Sequence, residues 1–136
     1  MEVARIDDLD HAEGTQIGLA YELRWRLDAT RLELEIVGGE RRSVELGDAD
    51  FFDVFASPFF NTLPVLRDDL LAGGEPRDYT MAFVEVPTLN VRPSAQRYTP
   101  KGARVVSYAS GDFAADIEFD ADGFVLRYDG FLERVT

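Results

Sequence analysis

Cysteine is absent from all 136 residues. That excludes disulfides, thiolate metal centres and cysteine nucleophiles, and it leaves stability to packing. Histidine occurs once, at His11, close to the start of the chain, where it reads as a solvent-exposed residue and not as a general base. Lysine also occurs once, at Lys101, and the other basic residues are arginine. No apolar run approaches the roughly 18 residues that a membrane-spanning helix requires. The first residues, MEVARIDDLDHAEG, lack the basic-then-apolar pattern of a secretory signal. The expectation is a soluble, cytoplasmic protein with no transmembrane segment.

What is present in excess is acid. Twenty-six acidic residues face fourteen basic ones, a formal charge of −12. A surface of that sign repels a phosphate backbone, so nucleic acid is not an expected partner. Acid excess with scarce lysine, and aspartate above glutamate, fits a salt-rich cytoplasm where ions screen the self-repulsion. With 46% hydrophobic residues the chain can nonetheless bury a core, and its length corresponds to one domain spanning 1–136. Residues 1–15 read as a mobile N-terminal segment.

Hydrophobic spacing sets the fold class. In IGLAYELRWRL the residues Ile17, Leu19, Tyr21, Leu23, Trp25 and Leu27 alternate with polar positions, the period of a half-buried strand. Leu32, Leu34 and Ile36 repeat it after a turn at Asp28-Ala29, and Gly38-Gly39 turns the chain towards Val44 and Leu46. Tyr79, Met81 and Phe83 begin another run, interrupted at Pro87 and resumed at Leu89 and Val91. Pro87 and Pro93 cannot donate to a ladder and mark strand ends, bulges or an edge. Val106 and Tyr108, then Phe113, Ala115, Ile117 and Phe119, then Phe124, Leu126 and Tyr128 are joined by turns at Ser110-Gly111 and Asp122-Gly123, with a further turn at Asp129-Gly130. The prediction is an all-β fold of roughly eight to ten strands, an antiparallel meander forming a single curled sheet or a partly open β-barrel. DADFFDVFASPFF fits neither period and reads as a helical turn or an irregular loop.

Two stretches invite a chemical reading. EFDADGFVLRYD spaces Glu118, Asp120, Asp122, Gly123 and Asp129 like a calcium loop, but the flanks alternate as strands, so a hairpin turn is expected and no metal site. In SPFFNTLPVLRDDL, Pro64 directs Leu63 towards extended geometry, so Asn61 and Thr62 are expected to form a turn and the chain to continue as a strand.

Taken together, DADFFDVFASPFFNTLPVLRDDLLAGG, VEVPTLNVRPSAQRYT and FAADIEFDADGFVLRYDGFLERV resemble the family of putative glycolipid-binding proteins. The shared positions are Asp48, Asp50, Pro58, Asn61 to Pro64 and Arg67; Pro87, Leu89, Val91, Gln96 and Tyr98; and Phe113, Ala115, Asp120, Gly123, Val125 and Tyr128. The resemblance implies a many-stranded antiparallel β-barrel, similar to the lipid-carrying barrels of lipoprotein localisation factors. The family's glycolipid binding is an inference from that likeness. Family members usually carry further N-terminal strands, so a shorter barrel, or one completed by a second chain as a homodimer, is expected here.

Two roles stand open for the polar residues. Asn61 either caps backbone groups at a corner, with Arg67 paired to Asp68, Asp69 or another acid, or these residues join Gln96 and Tyr98 at a barrel mouth. There they would bind a sugar or anionic head group while the aromatic interior takes acyl chains. Thr62, Trp25 and Tyr128 complete the candidate ligand-binding set. The aromatic residues serve equally as a filled core or a cavity wall. The function expected is non-enzymatic binding of a lipid or glycolipid-like molecule, without cofactor. The alternative is an interaction module that takes no small ligand. A carbohydrate-active enzyme would require Asp50, Asp53 or Glu85 buried beside Arg67 in a cleft with a shifted pKa.

Overall fold

The computed structural model describes residues 1–128 and 132–133. The chain forms β1 (Glu2–Asp8), β2 (His11–Ile17), β3 (Glu22–Asp28), β4 (Arg31–Ile36), β5 (Arg41–Glu45) and β6 (Phe51–Val54). The helix α1 (Pro58–Arg67) and a 3₁₀ turn (Leu70–Ala72) follow. The chain then continues as β7 (Arg77–Val84), β8 (Val91–Gly102), β9 (Val105–Ser110), β10 (Phe113–Phe119), β11 (Val125–Tyr128) and β12 (Leu132–Glu133). The turn predicted at Asp129-Gly130 lies outside the described residues. No described helix is long and apolar enough to cross a membrane.

The fold is all-β, as expected, and its strands make an antiparallel sheet and a curled half-barrel. β1 to β5 pair in chain order as an antiparallel meander. β6 to β12 form a strongly curled half-barrel, in which every described pairing is antiparallel except β6 with β7. That pair is parallel because α1 carries the chain back across the sheet before β7 begins.

In the first sheet, alternation does what the sequence promised. Leu23, Trp25 and Leu27 on β3 and Leu32 and Leu34 on β4 are buried on one face. The other face is a cross-strand charge ladder, with Arg24 opposite Glu35, Arg26 opposite Glu33 and Arg41 bonded to Glu35 at 2.7 Å. The predicted strand starting at Ile17 is shorter than its pattern. Ile17 ends β2, Leu19 is fully exposed in a turn, and β3 starts at Glu22.

Residues 1–15 hold β1 and most of β2, a hairpin that pairs onto β3. Their sequence hid this because β1 is mostly exposed and shows no apolar alternation. The hairpin adds two strands to the first sheet and leaves β1 at its edge.

α1 replaces the turn and strand expected around Pro64. Pro64 lies inside a helix, and Asn61 and Thr62 are helical, not a turn. Pro58 occupies the first helical turn, where its missing N–H is harmless. Burial outweighs the strain at Leu63-Pro64. The run Phe59 to Val65 is buried throughout, with Phe59, Phe60 and Leu63 packed against the first sheet and Val65 against the half-barrel. Trp25 stacks on Phe59 with centroids 4.9 Å apart and meets Phe60 edge-on. Leu66 fills the space above Gly123, where a Cβ would sit 2.2 Å from the leucine, so α1 reaches the β10–β11 turn.

β7 is shared by both cores. Tyr79 and Met81 face the half-barrel interior, whereas Ala82 and Val84 pack with the first sheet. Across the concave face runs a chain of edge-to-face aromatic pairs, one ring from each of five successive strands. Phe51, Tyr79, Tyr98, Tyr108 and Phe113 are spaced 5.4 to 5.9 Å centroid to centroid.

Candidate functional site

The half-barrel opens where β9 falls short of β8. The two strands pair from Arg97 opposite Ala109 to Gly102 opposite Val105, so the first half of β8 is laddered only to β7. Pro93 is tolerated there for that reason. At the point where the ladder stops, the Ser110 hydroxyl donates to the Ala95 carbonyl at 3.1 Å. Beside this gap, between the end of β6, the N-terminal turn of α1 and the start of β8, lies a cleft of about 530 Å³. That is within the range of small-molecule sites.

Apart from Val54 and the ring of Tyr108, its buried lining residues are polar. Asp53 on β6, Ser57 and Asn61 around the start of α1, Ser94 on β8 and Tyr108 on β9 all line the cleft and are buried. Gln96 lies behind them and donates from Nε2 to Asp53 Oδ2 at 2.7 Å. The Gln96 Oε1 atom is buried with no hydrogen-bond partner. Asn61 donates to the Tyr98 hydroxyl at 3.0 Å. Burial pushes the Asp53 carboxyl up to about 6, against the opposing effect of the Gln96 hydrogen bond. Burial, together with the nearby Asp53, pushes the Tyr108 phenol up to about 12.

The outer wall is largely apolar. Phe55 and Phe113 are about half exposed, at 47% and 48%, and Phe83 and Val86 are partly exposed. Arg92 crosses the Phe83 ring, 4.7 Å from its centroid, and pairs with Glu85 at 3.5 Å, so the cleft carries a cation and an anion at its edge.

The sequence candidates divide. The structure brings Asn61, Tyr98 and Gln96 together at this end of the half-barrel, although only Asn61 lines the cleft itself. Thr62 is buried away from the cleft, and its hydroxyl has no hydrogen-bond partner. Arg67 is not at the mouth. It projects outward, half exposed, and its guanidinium donates to Asp10 at 3.0 Å. Trp25 belongs to the core beneath the first sheet. The side chain of Tyr128 lies outside the described residues. His11 is exposed between Asp8 and Asp28, and the Asp8 carboxylate raises its pKa. The loop that mimicked a calcium site is a hairpin turn, in which Asp120 Oδ1 accepts the backbone N–H groups of Asp122 and Phe124.

Asp53 meets part of the condition set for an enzyme, being buried in a cleft with a shifted pKa. Its partner is Gln96 and not Arg67. Sequence reasoning did not place Ser94, Ser110 or Phe55 here. A signal for two of the inner residues existed, since Ser94 and Gln96 are polar at inward positions of a strand that also buries Tyr98.

Known proteins bear on this geometry. The chain is similar to the crystal structure of a DUF1089 family protein from Pseudomonas aeruginosa, at 27% identity and a TM-score of 0.75, over 99% of this chain and 91% of that one. The near-complete coverage includes the N-terminal hairpin. No curated protein matches the chain significantly. The model of the family described as "Putative glycolipid-binding" matches residues 16–134, and the chain belongs to that family.

Proposed function

We propose that the protein is a non-catalytic binder of a lipid or glycolipid-like molecule, and that the cleft between β6, α1 and β8 is its site. The observation that carries this is the cleft's composition. An apolar, partly exposed wall of Phe55, Phe83, Val86 and Phe113 surrounds a few convergent buried polar groups. A molecule with hydrocarbon and hydroxyl parts satisfies both. The family description supports the same ligand class. Tyr98, Met81, Val106, Ile117 and Phe119 cluster as a buried core in the half-barrel, which supports a ligand space in the cleft over a continuous lumen. We place the protein in the cytoplasm, where dissolved ions offset its net charge of −12.

Native mass spectrometry of protein purified in high salt, followed by organic extraction and lipid analysis, tests the reading. A stoichiometric acylated or glycosylated molecule that is lost on Phe113→Ala substitution is the expected result. An empty protein that also takes up no lipid from a fluorescent panel would refute it, and the interaction-module alternative would then stand.

A further inference from the structure

The cleft has a direction. Its lining residues sort by depth: the buried ones are Asp53, Ser57, Asn61, Ser94 and Tyr108, with Val54 the sole apolar member, whereas the exposed ones are Phe55, Phe113 and Arg92. Hydrocarbon laid in the floor would cover the Asp53 carboxyl and the Ser94 hydroxyl without replacing their lost hydration. Hydroxyl groups laid there would donate to the carboxyl and accept from the amide and the serine, since each sugar hydroxyl is both donor and acceptor. On the wall, the rings of Phe83 and Phe113 present apolar faces that suit either a sugar ring edge or a methylene chain.

We propose that the ligand enters head first, with a polyhydroxylated head group held in the floor by Asp53, Asn61 and Ser94 and its hydrocarbon lying outward against Phe55, Phe83 and Phe113. This rests on the binding function proposed above and reverses the arrangement expected from the sequence, in which head groups sat at the mouth and acyl chains filled the interior. The reversal follows from the filled aromatic core beneath the floor and the exposed phenylalanines above it. The protein would then read the head group in the floor and hold the tail along its exposed phenylalanine wall.

Isothermal titration calorimetry on the full chain tests this with octyl glycosides of glucose, galactose and mannose below their micelle concentrations, and with octanol as the tail alone. At least one octyl glycoside is expected to bind at least tenfold more tightly than octanol, and Asp53→Asn and Ser94→Ala are each expected to cut that ratio at least tenfold. The comparison of ligands on the unaltered protein stands even where a variant folds poorly. Octanol binding as tightly as every glycoside would overturn the head-first arrangement while leaving a lipid site in place. Binding of neither class, with no lipid recovered by extraction, would remove the site itself and the inference with it.

Discussion

Glu2 Oε1 accepts the backbone N–H of Phe59 at 3.1 Å, so the first strand caps a helix fifty-seven positions away. The other carboxylate oxygen takes the Trp25 indole N–H at 3.2 Å and the Ser57 hydroxyl. Ser57 stands at the N-cap position but makes no side-chain cap of its own, and the carboxylate from β1 does the capping. One side chain thus joins the first sheet, the helix and the edge of the cleft. Burial raises the Glu2 pKa against these three donors.

Glu2→Ala is expected to destabilise the protein by about 1–3 kcal/mol, because three donors lose their acceptor. Glu2→Gln, which keeps one acceptor oxygen and buries no charge, should retain more of the stability. Urea unfolding followed through the single Trp25 measures both, and equal stability of Glu2→Ala and the unaltered protein would rule out the cap.

The pH dependence of stability carries the signature of Asp53. Its carboxyl binds a proton more tightly in the folded chain, about 6, than at its ordinary 3.8. The stability linked to the protonated form is therefore complete below about pH 3.8 and is lost as pH rises through 6, amounting to about 3 kcal/mol. Asp53→Asn, still able to accept from Gln96, should be more stable than the unaltered protein by about 1–3 kcal/mol at pH 7.5. The difference should vanish near pH 4. Comparing variant with parent across pH isolates Asp53 from Glu2, raised in the same sense, and from Asp8 and Asp78, lowered by Asp10, His11 and Arg97 hydrogen bonds. A pH-independent difference would contradict the assignment.

Gly14 lies opposite Trp25 across the β2–β3 pair, and a Cβ there would stand 2.4 Å from the indole. The ring cannot retreat, being held by Phe59 and Phe60. Gly14→Ala should cost about 1–3 kcal/mol and shift the emission of the only tryptophan. An unchanged spectrum and melting temperature would show that the ring has room to move.

Arg67 provides a contrast. Its bond to Asp10 is exposed at both ends, 47% and 54%. Arg67→Ala should change stability by no more than about 0.5 kcal/mol, with no effect on ligand affinity. Loss of affinity would return Arg67 to the binding site.

Most strands from β3 onward were legible because period-two spacing survives wherever one face is buried, as at Leu23, Trp25 and Leu27, but β6 was not: Phe52, Asp53 and Val54 are buried in succession, so a stretch that read as a helical turn or a loop is a strand. The β1–β2 hairpin was not, because Val3, Arg5 and Asp7 show water and solvent-facing neighbours on both sides of the pleat. The helix was missed because a local rule, the extended preference before Pro64, competed with a tertiary one. The apolar positions Phe59, Phe60, Leu63 and Val65 have two cores to fill, and burial won. Within the candidate site, Asn61, Gln96 and Tyr98 could be named as a group, since polar residues among buried strand and helix positions stand out. Asp53 was one acid among twenty-six, and only its neighbours in space distinguish it. Arg67 and Trp25 show the reverse: residue type pointed to binding, whereas position sets Arg67 half exposed beside Asp10 and Trp25 in a core.

Among the described residues, every strand pairing but one joins chain neighbours through an antiparallel hairpin. The exception is β6 with β7, Phe51 opposite Met81, closed across the whole of α1. In folding, that closure carries the largest loop entropy of any pairing in the protein, while the two meanders zip up through local contacts. Asp53, Ser57 and Asn61 all sit on this crossover. The candidate cleft is thus assembled by the costliest closure among the described pairings, and a ligand held there would report that this crossover has closed.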